Sequence, residues 1–231
     1  MPLEAVIFDA GNTVMLMNYG VVAKALTAEG LHVDEAAVRE AEYRARVRLD
    51  PVLARRNSTE APQIFQTYMR FVCDGLGVQW GVAAERTLHR IAEYHQEHNL
   101  WNQPDPHAHA ALRTLHGHGL TLGMISNSNG WVERLVTESG LRPYFHFVVD
   151  SRLVGVEKPD PRIFQIALDQ VGISPAEALY IGDLYSIDVV GARAAGMGAI
   201  LLDPAGLWDH VDCPKARDLS EAANLVLMQL S

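Results

Sequence analysis

One short apolar run, Leu3 to Phe8, closes on Asp9-Ala-Gly-Asn12, and no comparable run follows until Leu120. A run of that length stopped by turn residues predicts a strand buried on both faces, as in a parallel sheet. Parallel neighbours need long crossovers, so the partner strands must come from the second half of the chain. Apolar strands are expected there at Leu120–Ile125, Phe147–Asp150, Ala178–Ile181 and Ala199–Leu202. They alternate with helices expected over His107–His116, Gly130–Ser139, Asp160 to about Gly172, Ser186–Ala195 and Leu219–Leu230. Ser174-Pro-Ala-Glu177 has the spacing of a capping box. Such alternation specifies the α/β class, with a Rossmann-like doubly wound parallel sheet.

Between Asp9 and Leu120 the pattern is helical. Asp34 is a good N-cap for a helix from about Glu35 to Leu49, expected to stop before Pro51. Gln63–Leu76 has Ile64, Tyr68, Phe71 and Val72 on one face, and Val82–His98 has Leu88, Ile91 and Tyr94. The Pro-rich stretch Asn102–Pro106 marks the return to the sheet. The expected organisation is a core of residues 1–15 and 101–231, interrupted by a helical insert over residues 16–100.

A formal net charge of −9 on 231 residues argues against sequence-independent binding to a nucleic-acid backbone. Small phosphorylated ligands stay admissible, because a site can be locally positive. The two cysteines, Cys73 and Cys213, have no metal-ligand spacing and suggest no disulfide framework. The N-terminus does not read as a signal peptide, and no apolar run is long enough to span a bilayer. A cytoplasmic protein with no membrane contact is expected, as a monomer or homodimer.

In open α/β sheets the ligand sits outside the carboxyl ends of the strands. The first strand delivers Asp9 there, the second Ser126 and Asn127, and the one ending at Ile181 delivers Gly182-Asp183, with Asp188 a turn later. A loop after the short strand delivers Lys158. A carboxylate nucleophile can take up a phosphoryl group and split one hard step into two. A divalent cation between carboxylates relieves the like-charge repulsion, and Mg²⁺ suits oxygen ligands. A lysine and a serine hydroxyl can steady the phosphate oxygens.

Phe8-Asp9-Ala10-Gly11-Asn12-Thr13, Ile125-Ser126-Asn127, Lys158-Pro159 and Gly182-Asp183-Leu184-Tyr185-Ser186-Ile187-Asp188 together resemble the four ordered motifs of the haloacid-dehalogenase superfamily. The helical insert falls where that family carries a helical, C1-type cap. The resemblance implies Asp9 as nucleophile, Thr13 as its orienter, and Ser126 and Asn127 as phosphate or substrate contacts. It implies Lys158 as the charge steadying Asp9 and the transferred group. Asp183, Asp9 and the Gly11 carbonyl are implied as Mg²⁺ ligands, with Asp188 as an alternative or supporting one. The implied activity is a Mg²⁺-dependent phosphatase acting on a small phosphorylated substrate.

One position departs from the pattern. Family phosphatases carry a second aspartate two residues after the nucleophile, to protonate the leaving group and then activate water; here it is Gly11. General acid–base help is typically worth about 10²–10⁴-fold. Three readings stay open: a leaving group that needs no acid, a proton donor from the insert (His32, His89 or His95), or a phosphate-ligand binder with slow or lost turnover. Family members acting on carbon–halogen bonds also lack that aspartate, so a metal-independent dehalogenase is the rival enzyme class.

Other polar clusters read as surface. His107, His109, His116 and His118 do not share a helix face as metal ligands would. Arg39, Arg44, Arg46 and Arg48 read mostly as a solvated helix face from which one could reach the substrate. Trp131 reads as packing.

Overall fold

The computed structural model describes residues 2–59 and 61–230. Strand β1 (Ala5–Phe8) is followed by a two-residue strand β2 (Met15–Leu16) and four helices, α1 (Tyr19–Thr27), α2 (Glu35–Arg56), α3 (Pro62–Gly75) and α4 (Val82–His98). The chain returns through β3 (Gln103–Pro104) into α5 (Ala108–Gly117), β4 (Thr121–Ser126), α6 (Val132–Glu138), β5 (Phe147–Asp150), α7 (Ser151–Val154) and α8 (Pro161–Asp169). It ends with β6 (Ala178–Gly182), α9 (Val190–Ala194), β7 (Gly198–Leu202), β8 (Lys215–Ala216) and α10 (Leu219–Met228).

Six strands form one parallel sheet in the order β5-β4-β1-β6-β7-β8, so β1 lies inside it with β4 and β6 as neighbours. Phe8 is in register with Met124 on one side and Ile181 on the other. The residues just beyond those positions therefore emerge side by side at one edge. Alternation along β1 supplies both faces: Val6 and Phe8 pack with α5, α6 and α10, while Ala5 and Ile7 pack with α8 and α9. Gly123 in β4 is required by packing, since a Cβ there would lie 2.1 Å from the Phe147 ring. The capping box at Ser174 and Glu177 forms as its spacing predicts.

Helices α1 to α4 bury a third apolar cluster of their own, with Met17, Val38, Leu53, Met69 and Ile91 inside. Helix α2 is capped by Asp34, whose carboxylate accepts from the Ala37 N–H at 2.7 Å. It does not stop before Pro51 as expected, but runs on to Arg56. An interior proline costs about 3 kcal/mol. Full burial of Leu53, two residues on, offsets much of that cost. The helix ends at Asn57 in the left-handed conformation. Sequence reading missed α1, α7, the edge strand β8, and the antiparallel pair of β2 and β3, which brings the chain's exit from the sheet beside its return.

Candidate active site

The β1 strand stays paired up to Asp9, whose N–H donates to the Ile181 carbonyl at 2.8 Å. The next residues turn tightly: the Val14 and Met15 N–H groups both donate to the Ala10 carbonyl, and Asn12 takes a left-handed φ of 53°. This turn holds the Asp9 carboxylate at the sheet edge, nearly buried.

Lys158 meets it from the far side of β4. Its ammonium donates to Asp9 Oδ1 at 2.5 Å, to the Tyr180 hydroxyl at 2.8 Å and to Asp188 Oδ1 at 2.8 Å. Those three acceptors satisfy all of its hydrogens. Burial works against its charge, but Asp188 and Asp9 outweigh that and hold the ammonium well above the usual lysine range. Asn127 fixes the loop. Its Oδ1 accepts from the Lys158 N–H at 2.7 Å, and its Nδ2 donates to the Lys158 carbonyl at 2.8 Å and to Thr59 Oγ1 at 2.9 Å. Its amide is thus committed to positioning Lys158. Ser126 lines the cavity beside it.

Past β6 the chain makes one wide π-type turn, Tyr185–Val189. Such turns recur at functional sites. This one swings Asp188 back so that its Oδ2 accepts from the Asp183 and Leu184 N–H groups at 3.1 and 2.9 Å. Gly182 makes room: a Cβ there would lie 2.4 Å from the Asp188 carboxyl carbon. Carboxylate oxygens of Asp9, Asp183 and Asp188 lie within 4.8 Å of one another. Burial raises the Asp9 carboxyl to about 6; Lys158 opposes the rise and Asp188 adds to it. Asp183 is likewise pushed up by burial, against the pull of Arg46 and with the help of Asp9, Asp188 and Glu42.

Arg46 was not among the site residues expected from sequence. Far from solvated, it is buried, with Nε 2.6 Å and Nη2 2.8 Å from the two oxygens of Glu42, and Nη1 donating to Asp183 Oδ2 at 3.3 Å. Arg39, Arg44 and Arg48 are exposed. Asp50 stands four residues along the same helix, hence on the same face, and accepts from the Ser186 N–H at 2.8 Å. The signal available in sequence was Glu42 at i and Arg46 at i+4, a pairing that exposed helices also use. Tyr19 and Tyr68 both donate to Glu42, and Asn12 Nδ2 donates to the Tyr68 hydroxyl at 3.2 Å.

Not every expected residue converges. The Thr13 hydroxyl is fully buried and has no hydrogen-bond partner among the described residues, so it does not orient Asp9 through a side-chain bond. The tight turn that follows Asp9 pulls Thr13 inward. Gly11 faces the Trp101 indole. His89 and His95 line the cavity, whereas His32 is exposed and lies outside its lining. The four histidines from His107 to His118 are all exposed. Trp131 is half-buried against the core, with Arg134 over its ring.

A cavity of about 800 Å³ opens above the carboxylates. Asp9, Ser126, Lys158 and Asp183 line its floor, and residues of α2 to α4 line its roof. Among the described residues no helix is long and apolar enough to cross a membrane.

Residues 3–196 match the family model described as haloacid dehalogenase-like hydrolase. The chain is 30% identical to bovine (Bos taurus) haloacid dehalogenase-like hydrolase domain-containing protein 3, covering 89% of this chain and 86% of that one. It is 39% identical to a phosphoserine phosphatase from Thermus thermophilus over 99 residues, 42% of this chain and 40% of that one. The solved structure of a 2-haloacid dehalogenase from Pseudomonas syringae superposes with a TM-score of 0.59 at 26% identity, covering 99% of this chain and all (100%) of that one. With its parallel sheet, its ordered acidic edge and a family match over most of its length, this chain belongs to the haloacid dehalogenase-like hydrolases.

Proposed function

We propose that this hydrolase is a Mg²⁺-dependent phosphomonoesterase that works through a phosphorylated Asp9. The observation that carries the reading is an excess of buried negative charge. Among the described residues, Asp9, Asp183, Asp188 and Glu42 are balanced only by Lys158 and Arg46 within one contiguous group. Buried charge of one sign is expensive unless compensated, and a divalent cation supplies the two missing charges. Asp9, Asp183 and the Gly11 carbonyl are the proposed ligands. Asp188 has both oxygens engaged by Lys158 and the Asp183 turn, which suits it to a supporting role. When bound, Mg²⁺ would neutralise the carboxylates and polarise the phosphoryl group.

The chain's own groups do the rest. Lys158 holds Asp9 Oδ1, so Oδ2 is the attacking atom. The same ammonium is placed to offset charge developing on the phosphoryl oxygens, with the Ser126 hydroxyl beside it. Asn127 keeps Lys158 in place. We assign residues 1–15 and 101–231 to the catalytic core and residues 16–100 to a cap that excludes water and selects the substrate. A cytoplasmic location fits this role.

The test is turnover of a broad panel of phosphate monoesters with and without Mg²⁺, in wild type and Asp9→Asn. Mg²⁺-dependent phosphate release that Asp9→Asn abolishes is expected. A variant as active as wild type would remove the mechanism. Gly11 favours the rival reading, a metal-independent dehalogenase, because a halide leaves without a proton. Halide release unaffected by EDTA would mark that chemistry.

A further inference from the structure

We infer that the substrate is a phosphate ester of an acidic hydroxyl on a flat apolar group, an aryl or enol phosphate. This rests on the phosphomonoesterase reading and narrows it. Two independent features lead to it, one at the reacting oxygen and one along the cavity wall.

The first is what stands at Gly11. A Cβ there would meet Trp101 Cδ1 at 3.5 Å, Cγ at 3.7 Å and Nε1 at 3.8 Å. These are ordinary contacts, so the indole begins where a longer side chain at position 11 would extend. The ring is held: Nε1 donates to Asn12 Oδ1 at 2.9 Å, and the Trp101 N–H donates to Asn99 Oδ1 at 2.9 Å. Tyr68 stacks along it at 6.1 Å, and His95 and Phe65 meet it edge-on at 5.5 and 6.3 Å. The family's proton donor is thus replaced by an apolar surface whose one N–H is already committed.

Nor do the two roof histidines supply a good substitute. His95 accepts the Leu100 N–H on Nδ1 at 3.0 Å and stacks on Phe65, and burial keeps it neutral. His89 is 75% exposed and pairs with Glu93 at 3.3 Å. Without an acid, cleavage must expel the bare oxyanion. Phenols ionise near pKa ~10, whereas an alkoxide is about as basic as hydroxide, whose parent water has a pKa of about 15.7. Only the former leaves readily unaided.

The second feature is the wall itself. Leu49, Leu53, Ile64, Phe65, Leu88 and Trp101 face the cavity above the carboxylates. Among the described residues its only lysine or arginine side chains are Lys158 and Arg46, both engaged by carboxylates. A second anionic group would find no unengaged lysine or arginine there. A planar apolar group would bury against Trp101 and Phe65.

The chemistry balances. An Asp9 oxygen forms a bond to phosphorus as the aryl–oxygen to phosphorus bond breaks, and the phenolate departs to take a proton from solvent. Water then attacks the phosphorylated Asp9; its oxygen bonds to phosphorus, its two protons end on the product H₂PO₄⁻, and the carboxylate is regenerated.

The test uses the full chain with Mg²⁺ and three uncharged-tail esters: phenyl phosphate, 2-phenylethyl phosphate, which keeps the ring but leaves as an alkoxide, and glycerol phosphate. Substituted phenyl phosphates add a leaving-group series. The expected result is a kcat/KM for phenyl phosphate at least 100-fold above the phenylethyl ester, with glycerol phosphate lower still, and a steep fall as leaving-group pKa rises. Trp101→Ala should raise KM for phenyl phosphate more than it changes kcat, and Gly11→Asp combined with Trp101→Ala should flatten the series. Equal rates for phenyl and phenylethyl phosphate, or a preference for glycerol phosphate, would overturn the inference while leaving a phosphomonoesterase. Absence of turnover on every ester would overturn both. The wild-type series decides the matter even if a variant does not fold.

Discussion

Arg46 donates from the helical insert to Asp183 at the sheet edge, 3.3 Å away, while its other nitrogens face Glu42. One guanidinium therefore ties the roof of the cavity to a carboxylate of its floor. Both partners are buried, where removing one member of a charge set exposes the full cost of the others.

Arg46→Met should destabilise the protein by about 3–5 kcal/mol in EDTA, because Glu42 and Asp183 lose their counter-charge. Glu42→Gln combined with Arg46→Met should recover part of that loss. Urea unfolding measures both. A cost under about 1 kcal/mol for the single variant would mean the pair behaves as a solvated surface bridge.

Asp9 ionises near its ordinary 3.8 in the unfolded chain and at about 6 in the fold. Between those values the native state holds a proton the unfolded state has lost, so stability falls as pH rises through that window. The gap is worth about 3 kcal/mol. In EDTA the thermal midpoint should drop between pH 4 and 6.5 more steeply in wild type than in Asp9→Asn. Mg²⁺ should raise the midpoint more at pH 7 than at pH 4.5. A wild-type midpoint that climbs through this window relative to Asp9→Asn would contradict the shift.

Lys158→Arg should lower turnover by about 10²–10³-fold. Three acceptors surround one ammonium, and a planar guanidinium cannot reproduce that geometry. Asn127→Ala, which frees the Lys158 backbone, should lose up to about 10²-fold in kcat through misplacement alone. Steady-state kinetics separate them, and wild-type kcat in Asn127→Ala would show that the loop holds itself.

Gly182→Ala should cost about 1–3 kcal/mol, since its Cβ would overlap the Asp188 carboxylate. Displacing Asp188 also releases the Asp183 N–H, so Mg²⁺ affinity should weaken in parallel. Calorimetric titration with Mg²⁺ tests the second part: a variant that binds the ion like wild type would uncouple Asp188 from Asp183.

The order of elements was legible because it depends on local pattern: apolar runs that end in turns make buried parallel strands, and their alternation with helices fixes a doubly wound sheet. Asp9, Ser126, Lys158 and Asp183 could be proposed together for the same reason, since three stand at the carboxyl end of a strand and Lys158 on the loop that comes after one. Helix α2 passing through Pro51 could not be read, because a penalty local to the backbone was largely offset by burial of Leu53 in a cluster assembled from distant helices. Arg46 looked like one solvated arginine among four, and only the docking of α2 against the turn after β6 decided that it meets Asp183. Likewise Trp101, ninety positions from Gly11, comes to fill the space beside it only once the chain returns through β3. Sequence determined which groups reach the sheet edge; tertiary packing decided which of them pair, because burial energy and charge compensation are settled between segments that no local pattern connects.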